Sequence, residues 1–202
     1  MDIQEYIASG ILEQYVLSII SPDEMLAVEQ MAATYPEVKE EILLISDIIE
    51  KIAFENAVAP SKTVKPFLMA TIDFMERMEG GEQPSFPPIL NEASCIQDYA
   101  AWLQRNDMIL PEDPGDLFAK IIGYTPQVTT AIAWIKGNAP IETHDKEYER
   151  FLIVEGTCDI VVEDTLHHLV PGDYFAIPLY KSHQVRVTSI VSCKVILQRI
   201  AA

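Results

Sequence analysis

The residues of this sequence that could do chemistry are concentrated in its last third. All four histidines lie between residues 144 and 183, and none precedes them. In an extended chain residues i and i+2 point to the same side, so Glu142 and His144 could face a common interior. Glu149 comes five residues after His144, and His183 lies on a later predicted strand. Together these four side chains indicate a mixed nitrogen and oxygen site.

Such a site suits a divalent metal ion. His144, Glu149 and His183 alone make a set of two histidines and one carboxylate, which is typical of iron(II) or manganese(II). Glu142 would be a fourth ligand. The two carboxylates would neutralise a divalent cation, whereas without a cation they would repel each other in a confined space. We therefore predict that these four residues bind a divalent ion, with zinc, iron, manganese and nickel as candidates.

Other residues of reactive types occur in the same part of the chain. His167 and His168 precede a Pro-Gly pair and are expected to be exposed in a turn. Tyr180 could be a phenol in a pocket or an aromatic on a loop, and the sequence does not separate the two. Arg150 is expected to point away from Glu149, because neighbouring residues of a strand alternate.

Cysteine usage gives no sign of a disulfide framework. The three cysteines stand far apart and lack the Cys-x2-Cys spacing of a zinc site: Cys95, Cys158 and Cys193. We expect them to be reduced, buried and inert, and to behave as small apolar side chains.

The elements that must position the metal ligands are short strands. Six runs rich in β-branched and aromatic residues occur at intervals of about ten residues: 129–135, 150–154, 158–162, 174–177, 184–187 and 194–197. Turn residues separate the runs, and this spacing is typical of a sandwich or a barrel. A short helix is predicted before them, at residues 95–105.

The first part of the chain has helical periodicity throughout. Ser21-Pro22-Asp23-Glu24 predicts a helix start, with serine as N-cap, proline at the first helical position and glutamate completing a capping box. Further helices are predicted from Pro36 and near residues 65–78. Residues 80–88 contain two glycines and three prolines, which indicates a linker. The predicted organisation is a helical bundle, a linker and a second domain, at residues 1–79, 80–93 and 94–202.

The helix that begins at Pro36 has more apolar surface than one core-facing stripe needs. Its apolar positions extend around much of the helix: Val38, Ile42, Leu43, Leu44, Ile45, Ile48, Ile49 and Ile52. Such a helix can lie between neighbouring helices or in a dimer interface. It can also form a groove for a partner, for which the methionines of the following helix are suited. Periodicity alone favours the first explanation, because broad apolar helices are common in bundles.

Composition excludes several classes of protein. The 202 residues are 49% apolar, and 14 basic against 31 acidic side chains give a net charge of −17. A surface this acidic repels phosphate backbones, so direct nucleic-acid binding is not expected, whereas a basic partner protein would suit it. The apolar stretches are too short for a membrane span, and the N-terminus lacks the basic region of a secretory signal. We expect a soluble, cytoplasmic protein.

The predicted ligands lie in motifs that resemble those of the cupin family. Glu142-x-His144-x4-Glu149-x6-Gly156 resembles the first cupin motif, Gly-x5-His-x-His-x3-4-Glu-x6-Gly. The resemblance covers roughly residues 90–200 and implies a double-stranded β-helix, or jelly-roll, barrel with a metal ion at its centre. With the helical bundle, the expected fold class is α+β.

The second motif carries departures from the family pattern. Gly172-x5-Pro178-x-Tyr180-x2-His183 resembles Gly-x5-Pro-x-Gly-x2-His-x3-Asn. Tyr180 replaces the family glycine, Val187 replaces the final asparagine, and in the first motif glutamate replaces the first histidine. The alternative to a metal site is a cupin barrel that has lost its metal. Every ligand position still holds a donor that binds divalent ions, which favours metal binding.

The opening of the chain resembles bacterial anti-sigma factors. Residues 3–17, IQEYIASGILEQYVL, are similar to the first helices of that family, and residues 21–24, 35–38 and 64–68 fit its continuation. A helical anti-sigma domain joined to a cupin is the layout of zinc-dependent anti-sigma proteins that answer oxidative stress. Their helical domain carries a histidine and a Cys-x2-Cys pair. No histidine or cysteine precedes Cys95 here, so that zinc site is not carried over.

The two resemblances together imply a regulatory protein. Residues 1–79 would sequester an extracytoplasmic-function sigma factor, with the cupin as a metal-binding sensor. The net charge of −11 over residues 1–82 would favour a partner that is basic where it meets DNA. The alternative is a metal-dependent cupin enzyme of dioxygenase type, with the helices as a dimerisation module. No nucleophile or general base stands out, so regulation is favoured; a homodimer is an expectation from resemblance alone.

Overall fold

The structure, a computed structural model, describes residues 2–202 and divides into two compact units. The first unit extends up to Ala59, and the second spans Pro60–Ala202. Helices and antiparallel sheets together give the α+β class predicted from the sequence. Among residues 2–202, no helix combines the length and the apolar character that crossing a membrane requires.

The first unit contains four helices. They are α1 (Ile3–Ile7), α2 (Ile11–Val16), α3 (Pro22–Thr34) and α4 (Pro36–Glu55). The predicted capping box begins α3, because Ser21 N donates to Glu24 Oε2 (2.8 Å) and Glu24 N donates to Ser21 Oγ (3.3 Å). One residue of α2, one of α3 and two of α4 form the buried core: Leu12, Val28, Val38 and Ile45.

The second unit contains two helices and eight strands. The helices are α5 (Val64–Glu79) and the short α6 (Ala100–Leu103), which follows a 3-10 turn at Ile96–Tyr99. The strands are β1 (Leu117–Tyr124), β2 (Val128–Ile135), β3 (Glu147–Glu155), β4 (Cys158–Val162), β5 (Thr165–Leu169), β6 (Tyr174–Ile177), β7 (His183–Val187) and β8 (Cys193–Ala201). All six predicted strands and the short predicted helix are therefore present.

The strands form two antiparallel sheets. Their orders are β1-β2-β8-β3-β6 and β5-β4-β7. Successive side chains of a strand point to opposite faces. Ile121 and Ile153 accordingly pack with Ile160 and Val185 of the other sheet in an interior core. Residues of the opposite parity, such as Leu152, join a second core on the outer face of the five-stranded sheet.

Helix α5 belongs to the second unit, although the sequence analysis placed it in the first domain. Phe67, Ala70 and Phe74 pack against the interior core, and Arg77 donates to the Ile121 carbonyl of β1. The boundary at Ala59 thus precedes α5, whereas the predicted boundary followed it. Burial of one apolar face of α5 against the sheet accounts for the difference.

The predicted linker at residues 80–93 is also packed on the barrel. Ser85 Oγ donates to the Ile122 carbonyl (2.7 Å), and Leu90 N donates to Gln198 Oε1 (2.7 Å). Leu90 is fully buried. Extended, proline-rich backbone here covers the outer face of the sheet instead of separating two domains.

Two strands were not predicted, β1 and β5. His167 and His168 lie in β5 and not in a turn. His168 is exposed and its Nδ1 lies 2.7 Å from Asp159 Oδ1, while half-buried His167 packs against the Phe175 ring. Both histidines therefore occupy structural positions in the three-stranded sheet.

Candidate metal centre

Backbone pairing brings Glu142 and His183 opposite each other. Glu142 N donates to the His183 carbonyl and His183 N donates to the Glu142 carbonyl, both at 2.9 Å. This pair is an isolated bridge between β7 and the loop that precedes β3. The segment that carries Glu142 and His144 is therefore a loop held by isolated backbone contacts, where the sequence predicted a strand.

Strand register and a loop contact position the other two ligand candidates. Glu149 lies in β3, directly opposite Arg199 of β8. His144 lies in the loop before β3, and its carbonyl accepts a hydrogen bond from Tyr180 N (2.8 Å). The two sequence motifs are thereby joined at the site through backbone contacts.

The four predicted ligands converge at one end of the barrel interior. One ligand atom from each of Glu142, His144, Glu149 and His183 lies within 4.8 Å of all the others. Glu149 Oε2 is 3.4 Å from His144 Nε2 and 3.3 Å from His183 Nε2. The Glu142 Oε2 to His144 Nε2 distance is 3.9 Å. Glu149 and His183 are buried, and the other two side chains are half-buried.

Charges at the site favour an ionised Glu149. Burial alone raises the pKa of this carboxyl, but the contacts with His144 and His183 and the charge of Arg199 outweigh it, so the pKa lies well below its ordinary value. The contact with Glu149 also raises the pKa of His144, against the effect of burial. Glu149 therefore presents an anionic oxygen to both imidazoles.

A backbone contact fixes the tautomer of His183. His183 Nδ1 lies 3.3 Å from the Lys181 carbonyl, and a carbonyl oxygen can only accept a hydrogen bond. Nδ1 therefore donates to that carbonyl, which leaves Nε2 as the ring nitrogen that faces Glu149 Oε2. Contacts of this kind orient metal-binding histidines in proteins.

Each carboxylate uses one oxygen for a supporting donor and turns the other toward the histidines. Arg199 Nε donates to Glu149 Oε1 (3.0 Å), while Glu149 Oε2 faces both imidazoles. Thr63 Oγ1 donates to Glu142 Oε1 (2.6 Å), while Glu142 Oε2 faces His144. The sequence analysis missed both supporting residues.

A cavity of about 60 Å³ lies beside these residues. Its polar wall includes Glu142, Glu149, His183 and Arg199, and the rest is mainly apolar side chains of the barrel strands. A water molecule needs roughly 10–15 Å³ of such volume, so the cavity has room for an ion with a few waters or for a very small ligand.

The residues present fit a divalent metal ion. His144 Nε2 is buried and makes no hydrogen bond among the described residues, since its contact with Glu149 lacks hydrogen-bond geometry. Leaving a buried polar atom unsatisfied costs about 1–3 kcal/mol, and coordination of a cation would satisfy this nitrogen. Two imidazoles and two carboxylates are a suitable donor set for zinc, iron, manganese or nickel. Metal binding stays a prediction.

Tyr180 lies outside the cavity and is an exposed loop residue. Its φ is +61°, the left-handed conformation in which the family motif places glycine. The side chain is 69% exposed and is not among the residues that line the cavity. Of the two possibilities for this residue, the loop aromatic is the one found.

The cysteines lie away from the four ligands. Cys158 and Cys193 are buried, as expected, but Cys95 is exposed, so the expectation of burial is wrong for that residue. Contact with Cys193 and burial both raise the pKa of the Cys158 thiol, which keeps it protonated and unreactive.

Comparisons with known proteins identify only structural likenesses. No protein-family model matches the chain, and no curated protein matches it. Among solved structures, the cupin domain of Schizosaccharomyces pombe Cnp3 is 12% identical with a TM-score of 0.41, covering 44% of this chain and 66% of that one. KdgF from Halomonas sp. is 21% identical with a TM-score of 0.39, and the match covers 42% of this chain and 79% of that one.

A predicted oxalate decarboxylase from Thermotoga maritima is 15% identical with a TM-score of 0.41, covering 44% of this chain and 83% of that one. Cupin-domain proteins thus recur among the structures that the barrel resembles. TM-scores near 0.4 carry no substrate or activity to this chain. The two antiparallel sheets and the convergence of the four side chains are observed in this chain itself.

Proposed function

We propose that this protein is a cytoplasmic anti-sigma factor whose cupin barrel is a metal-binding sensor. The helices up to Ala59 would bind an extracytoplasmic-function sigma factor and cover the surfaces that it uses to contact RNA polymerase. The observation that carries the proposal is a stripe of exposed apolar side chains on α4, defined by Leu44, Ile48 and Ile52.

The α4 stripe is well suited to a protein partner. Its three residues recur every fourth position, so they lie along one side of the helix. They are 52%, 47% and 55% exposed, while Val38 and Ile45 of the same helix are buried in the core of the unit. Leu43 and Phe54 of the same helix are also exposed. Contiguous exposed apolar surface of this kind marks interaction sites.

Charge adds selectivity for a basic partner. The chain up to Ala59 carries twelve acidic and two basic side chains, a net charge of −10. An apolar stripe within an acidic unit favours a protein that is basic around an apolar contact, and it disfavours nucleic acid. Sigma factors, which are basic where they bind DNA, have this character.

The test is affinity capture with the full-length chain from a lysate of the source organism, with mass spectrometry as readout. We expect the wild type to capture a sigma factor, and we expect Ile48→Glu to lower the captured amount at least tenfold. The matched control is Ile190→Glu, the same change at a fully exposed residue of the second unit. Failure to recover a sigma factor with folded bait would contradict the proposal, as would equal losses in both variants.

The second candidate function is a metal-dependent cupin enzyme of dioxygenase type, with the helices serving self-association. The observation in its favour is the cavity beside the four ligand candidates. A bound divalent ion would supply open positions and Lewis acidity to a small ligand there. Around it, Arg199 would hold Glu149, and the Lys181 carbonyl would orient His183.

His183→Ala separates the two functions. It should abolish metal binding, and with it any enzyme activity, but spare the capture of a sigma factor by the helical unit. His168→Ala is the control, since that histidine is exposed and lies outside the four-residue group. Sigma capture lost in His183→Ala but kept in His168→Ala would instead show that the partner requires the metal centre.

A further inference from the structure

Thr63 makes a long-range contact with the metal centre. Its Oγ1 donates to Glu142 Oε1 at 2.6 Å, across 79 positions of sequence. Thr63 directly precedes α5, and residues 56–63 are the connector between the last helix of the first unit and α5. A candidate metal ligand is therefore hydrogen-bonded to the segment through which the two units are covalently joined.

The position of Thr63 makes this contact informative. Threonine at an N-cap normally accepts a hydrogen bond from the helix backbone, which contributes about 1 kcal/mol. The Thr63 side chain makes no such bond. Its only proton goes to Glu142, so Ser61 Oγ, at 2.9 Å, must donate to Thr63 Oγ1. Two hydroxyls of the connector are thus committed to the site.

The same segment covers one side of the cavity. Lys62, Thr63 and Phe67 line it together with Glu142 and Arg199. The guanidinium carbon of Arg199 lies 4.4 Å from the centre of the Phe67 ring, a cation–π contact. Residues 60–67, called the strap below, therefore contact one supported carboxylate directly and the other through Arg199.

We propose that the strap is the regulatory link of the metal centre, with Thr63 as a positioning residue that holds Glu142 for metal binding. Docking of the strap and occupancy of the centre by a divalent ion then favour each other. This inference rests on the metal-sensing half of the proposed function. It assigns the route by which occupancy reaches the connector that follows the helical unit.

The linkage follows from the placement of the hydrogen bond. With Thr63 on Oε1, Glu142 is held with Oε2 toward the histidines, so less ordering is required when a cation binds. Because coupling between two equilibria is reciprocal, an ion that binds the ordered carboxylate also stabilises the docked strap. Loss of a residue that orients a metal ligand typically lowers metal affinity by about 10–100-fold.

The experiment uses four full-length proteins: wild type, Thr63→Val, Thr63→Ser and Thr34→Val. Thr34 is the matched control, because it is an exposed threonine of α3, outside the strap, whose hydroxyl donates to the Gln30 carbonyl (2.8 Å). Zn²⁺ and Mn²⁺ affinities are measured separately by chelator competition. Hydrogen exchange of residues 57–67 is measured with and without each ion, after circular dichroism has verified folding.

We expect Thr63→Val to lower affinity by about 10–100-fold and to remove most of the ion-induced protection of the strap. Thr63→Ser should keep both properties, and Thr34→Val should change neither. If Thr63 had a purely structural role, Thr63→Val would raise hydrogen exchange of the strap equally with and without the ion. The inference would be overturned if Thr63→Val bound the ions with the affinity of the wild type. It would also be overturned if ion binding left hydrogen exchange of the strap unchanged, or if the wild type bound neither ion. Sigma capture is not a readout here, so failure of that proposal is seen separately.

Discussion

The two units of this chain handle apolar surface in opposite ways. The helical unit buries four apolar residues and leaves a long stripe of α4 exposed. The barrel unit buries 24 apolar residues in two cores and keeps its charged cluster of ligand candidates inside. One unit presents apolar side chains outward and the other presents polar side chains inward.

This difference separates two kinds of recognition. An exposed apolar face contributes no burial free energy to the free protein, and that free energy is gained when a partner covers the face. A partly buried group of two carboxylates and two histidines is costly until a cation balances its charge, and the barrel can carry that cost because its cores are large. Protein recognition therefore fits the small unit, and ion recognition fits the large one.

The contrast between the units is tested most strongly by removing one buried leucine from each of them. Leu12→Ala and Leu152→Ala each delete a fully buried side chain and should cost about 2–5 kcal/mol. For a unit of about 60 residues, that loss approaches the whole free energy of unfolding. We expect Leu12→Ala to unfold the helices at ambient temperature and Leu152→Ala only to lower the barrel melting temperature.

Two signals distinguish the units in this experiment. Both tryptophans, Trp102 and Trp134, belong to the second unit, so tryptophan fluorescence reports on the barrel. Far-UV circular dichroism at 222 nm is dominated by the helices. A single transition that moves together in both signals after Leu12→Ala would show that the units unfold as one.

Much of the barrel could be predicted from the sequence, because alternation and turn spacing define buried strands locally. Strand β5 was missed because its five residues include two histidines and a threonine, which resemble a polar turn. Strand β1 was missed because Lys120 and Gly123 interrupt its apolar pattern. Gly123 is required there, since a Cβ would collide with Pro87 of the covering segment. Such a requirement is visible only in the folded structure.

In the candidate site too, some residues could be predicted from the sequence and others depend on the folded structure. The convergence of the four ligand candidates could be predicted because the motifs place these residues at fixed spacings. Arg199 and Thr63 could not, because their roles depend on the β3–β8 register and on where α5 docks. Helix α5 was assigned to the first unit because its amphipathic pattern shows that one face is buried but not against what.

The attachment of α5 to the barrel unit can be tested through Glu82. This carboxylate accepts hydrogen bonds from Arg77 of α5 (2.8 Å) and from Arg105 (2.6 Å). Glu82→Gln should lower stability at neutral pH by about 1 kcal/mol, since the pairs are partly exposed and screened. Barrel unfolding in urea, followed by tryptophan fluorescence, measures the change.

The pH dependence of stability provides a second test of the Glu82 contacts. The hydrogen bond from Arg105, aided by Arg77 and opposed by burial, holds the pKa of Glu82 below its ordinary 4.5. The contribution of the Glu82 carboxylate to the free energy of unfolding is therefore complete above that pH, and it is lost as pH falls through the folded-state pKa. Glu82→Gln should be less sensitive to acid than wild type, whereas Glu79→Gln, an exposed change at the end of α5, should behave like wild type. Parallel acid curves for wild type and Glu82→Gln would contradict the assignment.

The loop that supports His144 contains a residue with a strained backbone. Tyr180 adopts φ +61°, which costs a non-glycine residue roughly 1–2 kcal/mol. Tyr180→Gly relieves that strain but adds backbone entropy to the unfolded chain, so a net stabilisation of under about 1 kcal/mol is expected. The N–H to His144 carbonyl bond is retained, and Zn²⁺ affinity should stay within about twofold of wild type. Tyr124→Gly, at an exposed tyrosine of β1, should instead destabilise by about 1 kcal/mol. Destabilisation of both variants would mean that the Tyr180 ring contributes more than its strained backbone costs.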